Sequence, residues 1–115
     1  MTNLERLSIE IKDIDYTDDE KSIFLQENSL QPADEYDPSS SLNKRNILKT
    51  ALSILESLAN NPMLMRNYKT ESMSITDFAD SLQNRIQMLD RKIRMIRLQE
   101  QAQSESSSFV YMFRN

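Results

Sequence analysis

Ile47-Leu48-Lys49-Thr50-Ala51-Leu52-Ser53-Ile54-Leu55-Glu56-Ser57-Leu58-Ala59-Asn60-Asn61-Pro62 is the stretch on which the fold turns. Ile47, Leu48, Ala51, Leu52, Leu55, Leu58 and Ala59 recur at three and four, and Ile54 widens the row. On a 3.6-residue period these side chains form one broad apolar face. The pattern predicts a helix over about 42–59 at the centre of the core. Asn60-Asn61-Pro62 ends it, because the residue before a proline avoids helical angles.

On the C-terminal side, Phe78, Leu82, Ile86, Leu89, Ile93 and Ile96 are spaced 4, 4, 3, 4, 3, close to a heptad seam. The helix they predict begins near Thr76 and reaches Gln103, roughly 40 Å at 1.5 Å per residue. Met88 and Met95 lie seven apart, off that seam. They either form a second apolar contact line or widen the core stripe. Arg91 and Arg94 point away from the seam, and these four residues are candidate subunit contacts. Between the two long helices, residues 62–75 read as a connection, with a short extended piece at Met73 and Ile75.

On the N-terminal side, Thr17-Asp18-Asp19-Glu20 is a capping box that starts a second helix. Asp18 and Asp19 suit its positive end, Ile23 and Phe24 are expected to turn inward, and Asn28 is a left-handed stop. A first segment over about 4–12 has Leu4, Leu7 and Ile11 at helical spacing, although Ile9 and Ile11 also alternate as in a strand. Residues 29–41, with Pro32, Pro38 and four serines, form a long connection. It either contacts partners or is a stretched crossover carrying one helical turn after Pro32.

The chain ends on a polar run, Ser104-Glu105-Ser106-Ser107-Ser108, then Phe109-Val110-Tyr111-Met112-Phe113. Phe109, Tyr111 and Phe113 alternate, so an extended strand would put them on one face. Burying five such side chains gains about 7–15 kcal/mol, and fixing seven residues costs about 7–14 kcal/mol. The near balance describes an arm that docks weakly alone and firmly when many copies act together. The expected organisation is a helical domain over 1–103 and a flexible hinge with an apolar docking arm over 104–115. The fold class is all-α, a small helical bundle with a long C-terminal helix and an extended C-terminal arm. Leu48, Leu52, Leu55, Phe78, Leu82, Ile86 and Leu89 are expected at its centre.

Composition removes most chemistry. The 115 residues include no Cys, His, Gly or Trp. Thiol chemistry, zinc sites and the commonest general base are therefore excluded, as are glycine-rich phosphate loops. Asp13, Asp15, Asp18, Asp19 and Glu20 fail as a calcium loop, which needs Gly sixth and Glu twelfth where this chain has Asp18 and Phe24. No catalytic site, metal or cofactor is expected, and the protein is read as not an enzyme. No apolar run approaches the ~20 residues of a membrane span, and the N-terminus lacks the pattern of a secretory signal.

Charge is divided unevenly. Residues 1–41 hold eleven acids and three bases, and residues 42–115 hold eleven bases and seven acids, which gives −8 and 4 and returns the net −4. Either the halves fold on each other, or neighbouring copies meet acidic face to basic face. Arg85, Arg91, Lys92, Arg94 and Arg97 are spread around their helix rather than gathered in a stripe, which disfavours a dedicated nucleic-acid binder.

The core helix with its Ala59-Asn60-Asn61-Pro62 ending is followed by Tyr68-Lys69-Thr70, Met73-Ser74-Ile75 and the Arg-rich helix from Phe78 to Ile96. Over about residues 17–100 this arrangement resembles the head–tail connector proteins of tailed bacteriophages, also called adaptor or head-completion proteins. The resemblance implies a structural virion protein at the head–tail interface, assembled in the host cytoplasm. It implies a homo-oligomeric ring, typically of twelve copies, between the portal protein and a tail-side connector or stopper protein. DNA would pass through the channel without sequence-specific contact, no membrane is involved, and a C-terminal arm would reach the portal. The alternative is a small helical regulator or inhibitor that binds one protein target. Mass distinguishes them: a ring against a small complex of fixed stoichiometry.

Overall fold

Leu55, Ile54, Leu58, Ile47 and Ala51 are all completely shut off from solvent, and the rest of the molecule is arranged to achieve that. A computed structural model describes residues 1–68 and 75–112, with side chains for all of these except Met65, Asn67, Tyr68, Ile75 and 105–112. Among the described residues there are five helices: α1 (Asn3–Glu10), α2 (Asp18–Glu27), α3 (Ser41–Ala59), α4 (Pro62–Tyr68) and α5 (Ile75–Met112). No strand forms among them; Thr2 and Glu35 make an isolated bridge. The fold is all-α, with a long C-terminal helix.

The central helix α3 touches each of the other four. Its buried positions, from Thr50 round to Leu48, cover roughly 160° of its circumference at 3.6 residues per turn. That is wider than one neighbour can shield. Leu7, Ile11, Ile14, Leu25 and Leu30 cover one part of the stripe, and Leu82, Leu89 and Ile93 cover another. Leu52, Phe78 and Ile86, expected at the centre, are only partly buried against it. The buried Thr50 hydroxyl donates to the Asn46 carbonyl at 2.7 Å, so no polar group is stranded there.

Local signals set the helix ends. Thr17 and Glu20 form the expected capping box, and Thr2 and Glu5 form a second one that starts α1. Asn28 caps α2 but keeps a negative φ. The left-handed residue is Ser29, φ 64°, not Asn28. The Leu30 amide reaches the Leu25 carbonyl and the Ser29 amide the Gln26 carbonyl, which is a Schellman ending. Leu30 then folds back beside Leu25 in the core. In a chain without glycine, a serine takes the positive-φ position.

The connection over 29–41 is tied down rather than free. The buried Asn3 side chain donates to the Gln31 carbonyl at 2.9 Å and accepts from Asn43 at 3.0 Å. The Asn3 and Leu4 amides bond the carbonyls of Asp34 and Pro32, and the Tyr36 amide bonds that of Met1. It is the stretched crossover, with a turn after Pro32 in place of a helical turn.

Pro62 does more than end α3. Asn60 caps that helix, and the Asn61 side chain accepts the amides of Met63 and Leu64 at 3.2 Å. Asn61 is thus an N-cap, and Pro62 occupies the first helical position, where a missing N–H costs nothing. Part of the expected 62–75 connection is therefore the helix α4. Met73, expected in a short extended piece, lies outside the described residues, and Ile75 begins α5.

Helix α5 continues without interruption through the serines to Met112. No Gly or Pro occurs between Ile75 and Met112, and serine costs a helix only a few tenths of a kcal/mol. The backbone is thus helical where the sequence suggests a hinge and an extended arm, and a period of two gathers no face on a helix. The side chains of Phe109, Val110, Tyr111 and Met112, and all of Phe113, lie outside the described residues.

Candidate protein-docking surfaces

Helix α5 runs antiparallel to α3. Leu82 lies near Leu58, where both line a cavity of about 180 Å³, and at the other end Glu100 pairs with Arg45 at 3.2 Å. The seam residues Leu82, Leu89 and Ile93 are buried. Met88 and Met95 are 57% and 55% exposed, and Leu98 is 63% exposed. The methionines therefore do not widen the core stripe. They stand on the outer side of α5, and Leu98, which the seam pattern did not single out, joins them.

Charge accompanies this apolar row. Arg91 and Arg94 are exposed beside it, and Arg94 bonds Asp90 one turn back at 3.0 Å. Lys92 and the edge of Met95 border an open groove of about 450 Å³ that Arg6, Glu10, Lys44 and Leu48 also line. Cations outnumber acids on this side of the molecule.

A second exposed face lies on α2. Ile23 was expected inward, but it is 56% exposed. Leu25 supplies the fully buried contact of that helix instead. Asp19, Glu20 and Glu27 are exposed around Ile23, whereas Lys21 turns toward α1 and donates to the Ser8 hydroxyl at 3.3 Å. This face is therefore acidic around one aliphatic side chain. Helices α2 and α5 both pack on α3, and among the described residues their backbones do not come together.

Among the described residues, the acidic and basic parts of the sequence meet within the chain at the α1–α2 connection. Arg85 of α5 bonds Asp13, in the α1–α2 connection, at 2.8 Å. Arg85 and Asp13 flank the cavity beside Leu58 and Phe78. Two of the carboxylates considered for calcium are thus in other use, Asp13 in this ion pair and Glu20 in its cap. Among the described residues, no group of three or more acidic side chains is gathered as a metal site would need, and no helix is long and apolar enough to cross a membrane.

Shifted ionisations occur where the N-terminus is tied down. The Glu35 carboxylate, hydrogen-bonded to the Met1 amine, raises the pKa of that amine. Hydrogen bonds from the Thr2 backbone and hydroxyl hold Glu5 below the ordinary carboxylate range. The Ser39 hydroxyl and amide do the same for Asp37. These shifts mark caps and turns rather than a reacting centre. The arrangement offers two amphipathic outer faces of opposite charge and a helix whose backbone continues past the Arg45–Glu100 ion pair.

No protein-family model matches this chain, and comparison with characterised proteins and with solved structures finds no match.

Proposed function

We propose that the protein is a structural connector of a tailed-phage virion. Its copies form a ring between the portal and the tail, docking to the portal through the C-terminal end of α5. The reading rests on the resemblance of residues 17–100 and on one observation, the overhang of α5. That helix has 38 residues against 19 in α3, about 57 Å against 28 Å at 1.5 Å per residue. Glu100 is the last α5 residue with a described partner. Gln101, Ala102, Gln103 and Ser104 are exposed, yet the helical backbone runs on to Met112. A helix whose backbone runs on from Glu100 to Met112, with Phe109, Val110, Tyr111, Met112 and Phe113 at the end of the sequence, is suited to gripping another protein.

In this role the tail-side connector or stopper protein binds the ring from below, and DNA passes through without sequence readout. The test is deletion of residues 105–115. The expected result is an unchanged thermal midpoint and complete loss of binding to the portal ring of the same genome, read by sedimentation and electron microscopy. Full binding by the shortened chain, or a small complex of fixed stoichiometry in place of a ring, overturns the proposal.

A further inference from the structure

We infer that copies of this chain pack head to tail, with the outer face of α5 on one copy against the outer face of α2 on the next. The inference rests on the ring reading for its setting and deepens it by naming the contact. The contact itself is argued from two surfaces.

On α5, Met88 and Met95 stand about 10 Å apart along the axis, with Leu98 one turn on and Arg91 and Arg94 beside them. All five are exposed. On α2, Ile23 stands between Asp19 and Glu27, one turn away on either side, and all three are exposed. Each face has an apolar centre that gains from losing water. Each also carries a charged border of one dominant sign. The α2 border is acidic because Lys21 is turned toward Ser8. The α5 border is basic, with Asp90 offsetting part of it through Arg94.

The signs decide how copies can pair. Placing α2 on α2 juxtaposes carboxylates, and placing α5 on α5 juxtaposes guanidinium groups; like charges across an interface are penalised. Crossing the two faces satisfies both borders and covers Ile23 with the methionines. The faces sit on helices whose backbones do not come together among the described residues, so one copy does not bring its own two faces into contact. A crossed contact is heterologous and leaves one free face at each end. Addition therefore continues until the rotation closes a ring or the chain of copies becomes a filament.

The absence of cysteine allows a clean test. Ile23→Cys and Met95→Cys are each exposed substitutions, and circular dichroism verifies that both variants fold. Mixed and oxidised, the two should give the crossed dimer several-fold above either like dimer. Like dimers alone, or no disulfide at all, overturn the contact. The full-length chain carrying both cysteines should give a ladder of covalent multimers. Arg91→Glu with Arg94→Glu should remove the ladder, and Asp19→Lys with Glu27→Lys in the same chain should restore it; failure of that restoration overturns the charge pairing. A ladder that ends in one closed species supports both the contact and the ring. Open filaments uphold the contact and overturn the closed ring. A ring on the portal with no 23–95 cross-link upholds the ring and overturns this contact.

Discussion

Helices α3 and α5 are both rich in aliphatic residues, yet they use them differently. Seven α3 residues are buried, Ile47, Leu48, Thr50, Ala51, Ile54, Leu55 and Leu58, because neighbours surround that helix. In α5 the buried residues Leu82, Leu89 and Ile93 line one side, while Met88, Met95 and Leu98 face water. The difference teaches that apolar content alone does not report burial. What counts is how many elements can reach each face. One helix exists to hold the fold together, and the other has surface left over for contact.

That contrast can be attacked directly. Leu55→Ala should destabilise the protein by about 2–5 kcal/mol, the cost of a cavity in a tight core, whereas Met95→Ala should stay within about 0.5 kcal/mol. Denaturant unfolding measures both, and similar losses would erase the distinction between the helices. The two ends of the α3–α5 seam sharpen it. Arg45 and Glu100 are mostly covered, and Arg45 Nε and Glu100 Oε1 are buried without a further partner. Glu100→Ala should cost about 1–3 kcal/mol, since it leaves a covered guanidinium group unpaired. Asp13→Ala, removing a carboxylate that is mostly in water, should cost about 1 kcal/mol or less. Equal costs at the two ends would mean that coverage does not govern these pairs.

Smaller effects lie away from the seam. Ser29→Gly should stabilise by about 1 kcal/mol, because a side chain at positive φ is crowded against its own backbone; a lower midpoint would place the strain elsewhere. The N-terminal ties give a pH signature. The Met1 amine has a raised pKa when folded, so its contribution is complete below the ordinary amine value near 8 and is lost as pH rises through the raised value. Glu5 and Asp37 have lowered values, so theirs is complete above the ordinary carboxylate range near 4 and is lost as pH falls through the lowered values. The amide resonances of Asn3 and Tyr36 should hold steady from about pH 5 to 8 and move outside that window. Resonances that shift within it would disprove these assignments.

Much of the fold was legible in the chain because its signals are local. The stripe from Ile47 to Ala59, the seam from Phe78 to Ile96 and the Thr17–Glu20 box each depend on spacing within a few turns. Thr2-x-x-Glu5 carried the same capping signature and could have been read. Asn61-Pro62 also signalled a helix start, but the same residues equally end the helix before them. Misreadings arose where the outcome depended on distant partners. Ile23 and Leu25 differ little as residues, and the packing of α2 on α1 and α3 buries the second and leaves the first outside. The serines after Gln103 are a separate matter: composition suggests a hinge there, and the backbone is helical because no Gly or Pro in the run stops a helix.

For the candidate surfaces the same division holds. Met88, Met95, Arg91 and Arg94 were identifiable as lying off the seam, since a helical wheel needs only the sequence. Their acidic counterpart on α2 was not, because it emerged only when Ile23 turned outward and Lys21 swung toward Ser8. By itself, the order of residues determined which stretches coil, where caps begin them and which side of each is oily, all consequences of periodicity and short-range hydrogen bonding. Only the assembled tertiary structure decided which oily sides found cover and which stayed open, because that depends on how many neighbours a helix can fit around itself.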